Sequence, residues 1–561
     1  MILNFTKFLL VIILFYQTPV YSKIYNNSDF NSKNLSSYFS ALLSSNNKKN
    51  SKALEHFNLS RSLINEHDPY LKSYVNSLVI EGEISKAIKE LKFNLNKKNS
   101  NFFEGYLLLV LDSIKKKDFK ESKKYLEKIS NFKENGTFEL VIYESLKNFI
   151  YLFENKKILI KDSNLGNLSS INRLFENCYL GEKNTEVHFL NLINTNDVNY
   201  SRYIFFYINY LIERNKYEEI DKLSNQIDIL NTNLLILQSK QWIDEKNLKN
   251  FTNIFSCKNE NDILAEFIFL IANLYSSENN FEKSNFYSQI SFFLNPKFIF
   301  NLSLMAENHY MNENYKECKK ILESFNKKNS AYNWYKIKKK AHIIAKEQGH
   351  EKSFSYLDSN FKKIKNPSTK LLLDMGNISK SFEKYNVAID YYTKVLSRMS
   401  KNETTYADIL YKRGGSYERL GDFSKSDDDL LLSLEINPGD AYTLNYLAYS
   451  WLERNYKIDI AIEMLETAYS KKENDPYIID SIGWAYYLIG DFFKAEQLMK
   501  RALQLMPDDP IVNDHYGDIL WSLNRKMQAQ YYWKGVLNFE DTEESMKEKI
   551  NIKLLKGPKN I

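Results

Sequence analysis

Glycine and proline are scarce, at 16 and 9 residues in a chain of 561. Tight β-turns are built on those two residues, so an all-β sandwich or barrel is not expected. Cysteine is scarcer still. Cys178, Cys257 and Cys318 are odd in number and far apart, which excludes a dense disulfide framework and any CxxC metal site. Isolated buried thiols are the expected state. None of the seven histidines stands in an HExxH pattern. His342 and His350 flank Glu347, but Gly349 weakens the turn that a shared helix face would need, so no metal site is expected. There is no P-loop and no GxGxxG, and "RGGSYE" (413–418) is not a GxSxG nucleophile elbow. No acid pair, Cys/His pair or Ser/His/Asp set emerges. Catalytic residues, metal and cofactor are all expected to be none.

The formal net charge of +6 is small for this length and no dense Lys/Arg stripe occurs, so nucleic acid is not an expected partner. The balance is uneven, because residues 401–540 carry about eight more acids than bases. With 43% hydrophobic and 26% charged residues, a packed structure is expected. Tyrosine (40) and phenylalanine (36) are abundant, but so are Asn, Lys and Ile. That pattern is the codon bias of an AT-rich genome, so aromatic richness alone marks no binding surface.

Long apolar runs are absent beyond the first residues. The chain starts "MILNFTKFLLVIILFYQTPVYSK": Lys7, an apolar run from Phe8 to Tyr16, a break at Pro19, then Val20-Tyr21-Ser22 as a cleavage site. This is the three-part pattern of a secretory signal. The run is short for a helix that must cross ~30 Å of hydrocarbon. Residues 1–22 are therefore expected to direct export to the periplasm, the alternative being an uncleaved anchor in the inner membrane facing the periplasm.

What is present is a repeat. "ADILYKRGGSYERLGDFSKSDDDLLLSLEINPGD" (407–440) and "PYIIDSIGWAYYLIGDFFKAEQLMKRALQLMPDD" (476–509) align without a gap. Gly414 falls on Gly483, Tyr417 on Tyr486, Asp422 on Asp491, Ser433 on Ala502 and Pro438 on Pro507. Between them, 441–475 fits with one extra residue, and 510–540 follows with Gly517, Ala529 and Trp533. The eighth position of each unit is Gly414, Ala448, Gly483 and Gly517, at steps of 34, 35 and 34 residues. Periods of this size mean stacked supersecondary units. Small residues at Gly414, Ala448, Gly483, Gly517, Ala495, Ala502 and Ala529 let paired helices approach. Tyr417 and Tyr486 fill the wedge between them, and Pro507 stops the second helix. Gly490-Asp491 makes the turn, with glycine in the left-handed helix end and aspartate capping the next helix.

These residues resemble the tetratricopeptide repeat, and the C-terminal run looks most like exported tetratricopeptide-repeat proteins of alphaproteobacteria, whose activity is mostly undefined. The resemblance implies an all-α fold, a superhelical α-solenoid of antiparallel helix pairs. Weaker units run upstream: "DMGNISKSFEKYNVAIDYYTKVL" (374–396), "LMAENHYMNENYKECKKILESF" (304–325) and "IANLYSSENNFEKSNFYSQISFFLNP" (271–296). The expected organisation is a signal or anchor at 1–22, degenerate helical pairs at 23–139 and an irregular helical region at 140–255. Divergent repeats at 256–365 and well-formed repeats at 366–540 follow, then a solvating cap helix and tail at 541–561.

In the family the concave surface comes mainly from the first helix of each repeat. Carried over, those positions are Tyr442, Asn445, Tyr446 and Tyr449, then Tyr477, Asp480, Trp484 and Tyr487, then Asp514, His515, Asp518 and Trp521. The resemblance thus implies an aromatic and acidic groove for a basic or polar protein segment. Asp480 and Asp514 stand where the family's carboxylate clamp wants basic or amide groups, so that peptide mode is not implied. The leading expectation is a non-enzymatic protein-interaction scaffold in envelope assembly or secretion. Two alternatives are carried: an enzyme whose site is a non-helical insert within 140–255, and a membrane-tethered assembly scaffold using residues 1–22.

Overall fold

The computed structural model describes residues 32–558 apart from 96–99, 135, 160–165, 195–200, 228–229, 231, 326–329 and 402–403. The targeting segment expected at 1–22 lies outside the described residues. Among the described residues every regular element is an α- or 3-10 helix, so the all-α expectation holds. None of these helices is long and apolar enough to cross a membrane. The chain forms two compact units, Met1–Lys336 and Ile337–Ile561.

In the second unit the helices pair in series: Thr404–Arg419 with Phe423–Ile436, Ala441–Glu453 with Ile458–Lys471, Pro476–Leu488 with Phe492–Leu505, and Pro510–Ser522 with Lys526–Val536. Local chemistry sets these boundaries. Gly421 and Gly490 take φ of +76° and +85°, the left-handed turn that ends a first helix at no steric cost. The aspartates that follow, Asp422 and Asp491, accept from the backbone N–H of Lys425 and Lys494 at 3.3 and 3.1 Å. At the repeat junctions Asp440, Asp475 and Asp509 cap the next first helix in the same way, and Pro476 and Pro510 occupy its first turn. The extra residue of 441–475 sits in its turn, where Asn455 and Lys457 both take positive φ (50° and 46°).

The pairs pack through the small residues. A Cβ on Gly414 would lie 3.0 Å from Leu430 Cγ, and one on Gly483 would lie 3.2 Å from Met499 Cε. At Gly517 the approach is much tighter: a Cβ would lie 2.3 Å from Nε1 of the fully buried Trp533, whose indole N–H donates to the Asp514 carbonyl at 3.3 Å. Ala448, Ala495, Ala502 and Ala529 are wholly buried. The Tyr486 hydroxyl, at the wedge position, bonds Glu466 and Lys494. Tyr417 is half-buried, between the cations of Arg413 and Lys425. Pro507 is exposed past the helix end, and its carbonyl accepts from Asn513.

The first unit also consists of helical pairs, from Ser32–Asn46 with Asn50–Leu59 to Leu302–Met311 with Tyr315–Leu322, around one continuous core from Tyr38 to Phe298. Its described residues between 140 and 255 are helices and the turns joining them. The cysteine expectation needs correction. Cys178 and Cys257 are disulfide-bonded across 79 residues of sequence, and Cys318 is a buried thiol outside any disulfide that donates to the Ala306 carbonyl. The bridge ties Asn167–Leu180 to the residues just before Glu260–Ser277. Nearby, Arg202 forms an ion pair with the fully buried Glu266 at 2.6 Å and lies 4.2 Å from the Phe269 ring centroid. Where the repeat register lapses, a covalent bridge and a buried ion pair take over from periodic packing.

Two outcomes follow. Gly517→Ala is expected to cost about 1–3 kcal/mol in denaturant unfolding because the Trp533 indole must shift. Gly483→Ala, whose one tight contact is the flexible end of Met499, is expected to be near neutral, and equal costs for the two would contradict the packing described. Alkylation of the unfolded, unreduced protein is expected to modify one cysteine, and Cys178→Ser is expected to destabilise the first unit by about 2–5 kcal/mol.

Candidate functional site

The first helices of successive repeats, Ala441–Glu453, Pro476–Leu488 and Pro510–Ser522, contact one another directly. Residues one repeat apart therefore line up as rows. The row nearest the helix starts is Tyr442, Tyr477 and Ile511, exposed by 48%, 63% and 50%. Each stands two residues after a capping aspartate, so each apolar side chain is flanked by a carboxylate. Ile511 completes this row. It escapes a search for aromatic and polar groups but is legible from the 34-residue step that separates it from Tyr477.

The remaining candidates are largely engaged with one another. The Tyr446 hydroxyl donates to the Glu418 carboxylate at 2.9 Å and its ring meets Tyr411 edge-on. Asn445 is half-buried, and its Oδ1 has no hydrogen-bond partner among the described residues. Tyr449 is half-buried, and burial, then Glu453, Asp480 and Asp514, push its hydroxyl pKa up. His515 Nδ1–H donates to Asp480 at 2.9 Å, with both side chains buried. Trp484 stacks on the His515 ring at 4.1 Å and on Tyr487 at 4.7 Å, while its indole N–H donates to Glu453 at 3.2 Å. Tyr487 is buried by this stack, and its pKa is pushed up to about 12 chiefly by burial.

The groove is not open at its far end. Helix Glu544–Lys556 packs on the last repeat, with Ile550 fully buried. Its Lys553 ammonium donates to Asp514 at 2.6 Å and to Asp518 at 2.8 Å. Trp521 lies against Trp533 and against the backbone at Gly557, where a Cβ would come within 2.6 Å of the indole. The segment expected to be a solvating cap thus places its one inward lysine between two groove acids. Ile550 and Lys553, three residues apart on one helix face, were the signal for it.

The electrostatics follow from burial. Desolvation lowers His515, but the Asp480 charge and hydrogen bond, then Asp514 and Asp518, outweigh it and leave the imidazole above its ordinary value. Burial raises Asp518 to about 6 despite Lys553. Lys553 is raised, because Asp514 and Asp518 outweigh its desolvation. No group of three or more metal-ligating side chains occurs among the described residues.

A raised folded-state pKa means that the folded form binds its proton more tightly than the unfolded form does. The His515 contribution is then fully present below the unfolded histidine pKa of about 6.5 and lost as pH rises through the folded value. The Asp518 contribution is present below about 4 and lost as pH rises through about 6. The second unit is expected to melt at a higher temperature near pH 5.5 than at pH 8. His515→Gln should shrink that difference, and a His515→Gln protein with the wild-type pH profile would contradict the assignment.

The sequence model of the tetratricopeptide repeat matches residues 407–440. A tetratricopeptide repeat-containing protein of Pseudomonas aeruginosa is 32% identical over 111 residues, covering 20% of this chain and 19% of the relative. The match thus spans about a fifth of that relative's length. Among solved structures, MamA of Desulfovibrio magneticus aligns over 31% of this chain and 97% of its own at 19% identity, with a TM-score of 0.27. A tetratricopeptide-repeat protein of Thermus thermophilus aligns over 34% of this chain and all of its own at 18% identity, with a TM-score of 0.30. Residues 407–440 thus match the tetratricopeptide repeat, and the chain is similar over that region to tetratricopeptide-repeat proteins.

Proposed function

We propose that the second unit is a non-enzymatic docking scaffold that holds a segment of another protein along the row Tyr442, Tyr477 and Ile511. The observation that carries this reading is that three large apolar side chains stay exposed at successive repeat positions while the residues that follow them, Thr443, Ile478 and Val512, are buried. Tyrosine is rigid and amphipathic, and exposed rows of such residues dominate binding energy at interfaces. The capping carboxylates beside the row and the excess of acids in 401–540 favour a segment with basic or polar side chains. Asp514, Asp518 and Asp480 contribute less to that preference than their charges suggest, since Lys553 and His515 already neutralise them.

The proposed setting is the periplasm of a Gram-negative bacterium, with a role in envelope assembly or secretion. The signal-like pattern of residues 1–22 supports export. The Cys178–Cys257 bridge supports an oxidising compartment, where such bonds form and persist. A membrane-tethered form of the same scaffold shares every feature of the second unit and differs only in whether residues 1–22 are retained.

A photo-crosslinking amino acid at position 477 is expected to trap a partner in cells, whereas one at the exposed Phe493 is not. With that partner purified, Tyr442→Ala/Tyr477→Ala should weaken binding about tenfold or more at unchanged thermal stability. Trp484→Ala should instead lower stability, because Trp484 belongs to the His515 stack. Unchanged affinity in the double tyrosine variant would remove the row from the interface.

A further inference from the structure

The first unit holds a second site, independent of the groove above. Its helical array doubles back, so that early and late turns meet. Lys48 Nζ donates to the Asn312 carbonyl at 3.1 Å, Asn314 Nδ2 to the Lys48 carbonyl at 3.2 Å, and Gln289 Nε2 to the Ile80 carbonyl at 3.1 Å. Lys320 pairs with Glu81 at 3.2 Å. Four helix–helix turns converge here, each with one residue of positive φ: Lys48, Gly82, Asn279 and Glu313. Between them lies a cavity of about 740 Å³, within the size range of small-molecule sites.

The lining decides the chemistry. Phosphates and other anions are disfavoured, because the cavity holds four carboxylates (Glu81, Glu278, Glu282, Glu317) against two ammonium groups (Lys48, Lys320). Cations find no free interior acid either. Both Glu81 oxygens are engaged, by Asn50 at 3.0 Å on one side and by Ser51 and Lys320 on the other. Glu317 lies 3.4 Å from the same Lys320, and Glu278 and Glu282 stand exposed on the rim. The interior is otherwise neutral. Asn285, Gln289 and Asn312 present amides, with the exposed Asn46 at the rim, while Phe281, Phe292, Met305 and Ile321 supply apolar wall.

His309 belongs to the neutral set. Desolvation, then the Lys320 charge, lowers its pKa to about 4 against a smaller opposing effect of Glu81, so the ring is uncharged at physiological pH. Asn285 Oδ1 accepts from Asn308 at 2.9 Å, which turns Asn285 Nδ2 toward His309 Nε2 at 3.4 Å. His309 Nε2 is then the acceptor, and Nδ1–H is left as a donor with no protein acceptor among the described residues.

A primary amide presents a donor and an acceptor side by side, which matches a pair of vicinal hydroxyls, and half-exposed phenylalanine rings match the C–H face of a pyranose. We infer that this cavity binds a neutral oligosaccharide of about two or three sugar units. The amides and His309 would take the hydroxyls, and Phe281 and Phe292 would take the apolar sugar faces.

Calorimetric titration of the full chain tests this, with N,N′-diacetylchitobiose and maltotriose as neutral probes and spermidine and a neutral pentapeptide as controls. Saturable binding of at least one sugar, with Kd below about 1 mM, is expected. Ser324 lines the cavity and is exposed, so Ser324→Trp should fill the rim and weaken binding at least tenfold without changing the melting temperature. Phe281→Ala should weaken it as well and serves as the second variant if Ser324→Trp melts early. No sugar binding up to about 10 mM would overturn the proposal. So would binding of spermidine or peptide in place of sugar, or sugar affinity unchanged in both variants.

Discussion

Close approach of paired helices is the constraint on which the second unit depends. A side chain larger than glycine at Gly517 would collide with Trp533, and a Cβ at Gly414 or Gly483 would press on Leu430 or Met499 more closely than an ordinary contact. Once the pair closes, the first helices of neighbouring repeats come into contact, and a position repeated every 34 residues becomes a row on one surface. Burial of the aromatic wedge residues, the capping aspartates at each junction and the exposed row Tyr442, Tyr477 and Ile511 all inherit their spacing from that contact.

The same stacking determines which groove residues remain available. Side chains at the middle of the first helices meet the next repeat before they meet solvent. Trp484 therefore lies on His515, and His515 finds Asp480, across 31 and 35 residues of sequence. Next to the repeat at 510–540 the helix Glu544–Lys556 takes the role: Ile550 supplies the apolar contact and Lys553 the charge that two adjacent acids need. An array end that looks acidic in sequence is internally compensated in space.

In the first unit the repeat register is weaker, and packing is held by other means. The Cys178–Cys257 bridge and the Arg202–Glu266 pair lie where periodicity lapses, and the meeting of distant turns around Glu81 and Lys320 encloses a cavity that no linear repeat would form. A mostly neutral, amide-lined interior is chemically distinct from the acidic, aromatic surface of the second unit. The two units therefore differ in the chemistry of their exposed and cavity-lining side chains within one chain.

The sequence by itself determined the helical hairpin, its period and its small-residue contacts, because these depend on residues within one repeat or one step apart. Gly483, Asp491 and Pro507 state their roles locally, whereas the place of the extra residue of 441–475, in the turn with Asn455 and Lys457, came from the structure. Only the tertiary structure decided what depends on distant partners. Cys178 and Cys257 are 79 residues apart and Lys48 and Asn312 are 264 apart, so no spacing rule pairs them. Of the twelve candidate groove residues, Tyr442 and Tyr477 stay exposed, while His515 and Asp518 are buried against partners on other elements. A helix's own sequence fixes which face a residue occupies; what covers that face is fixed by the next element to pack against it.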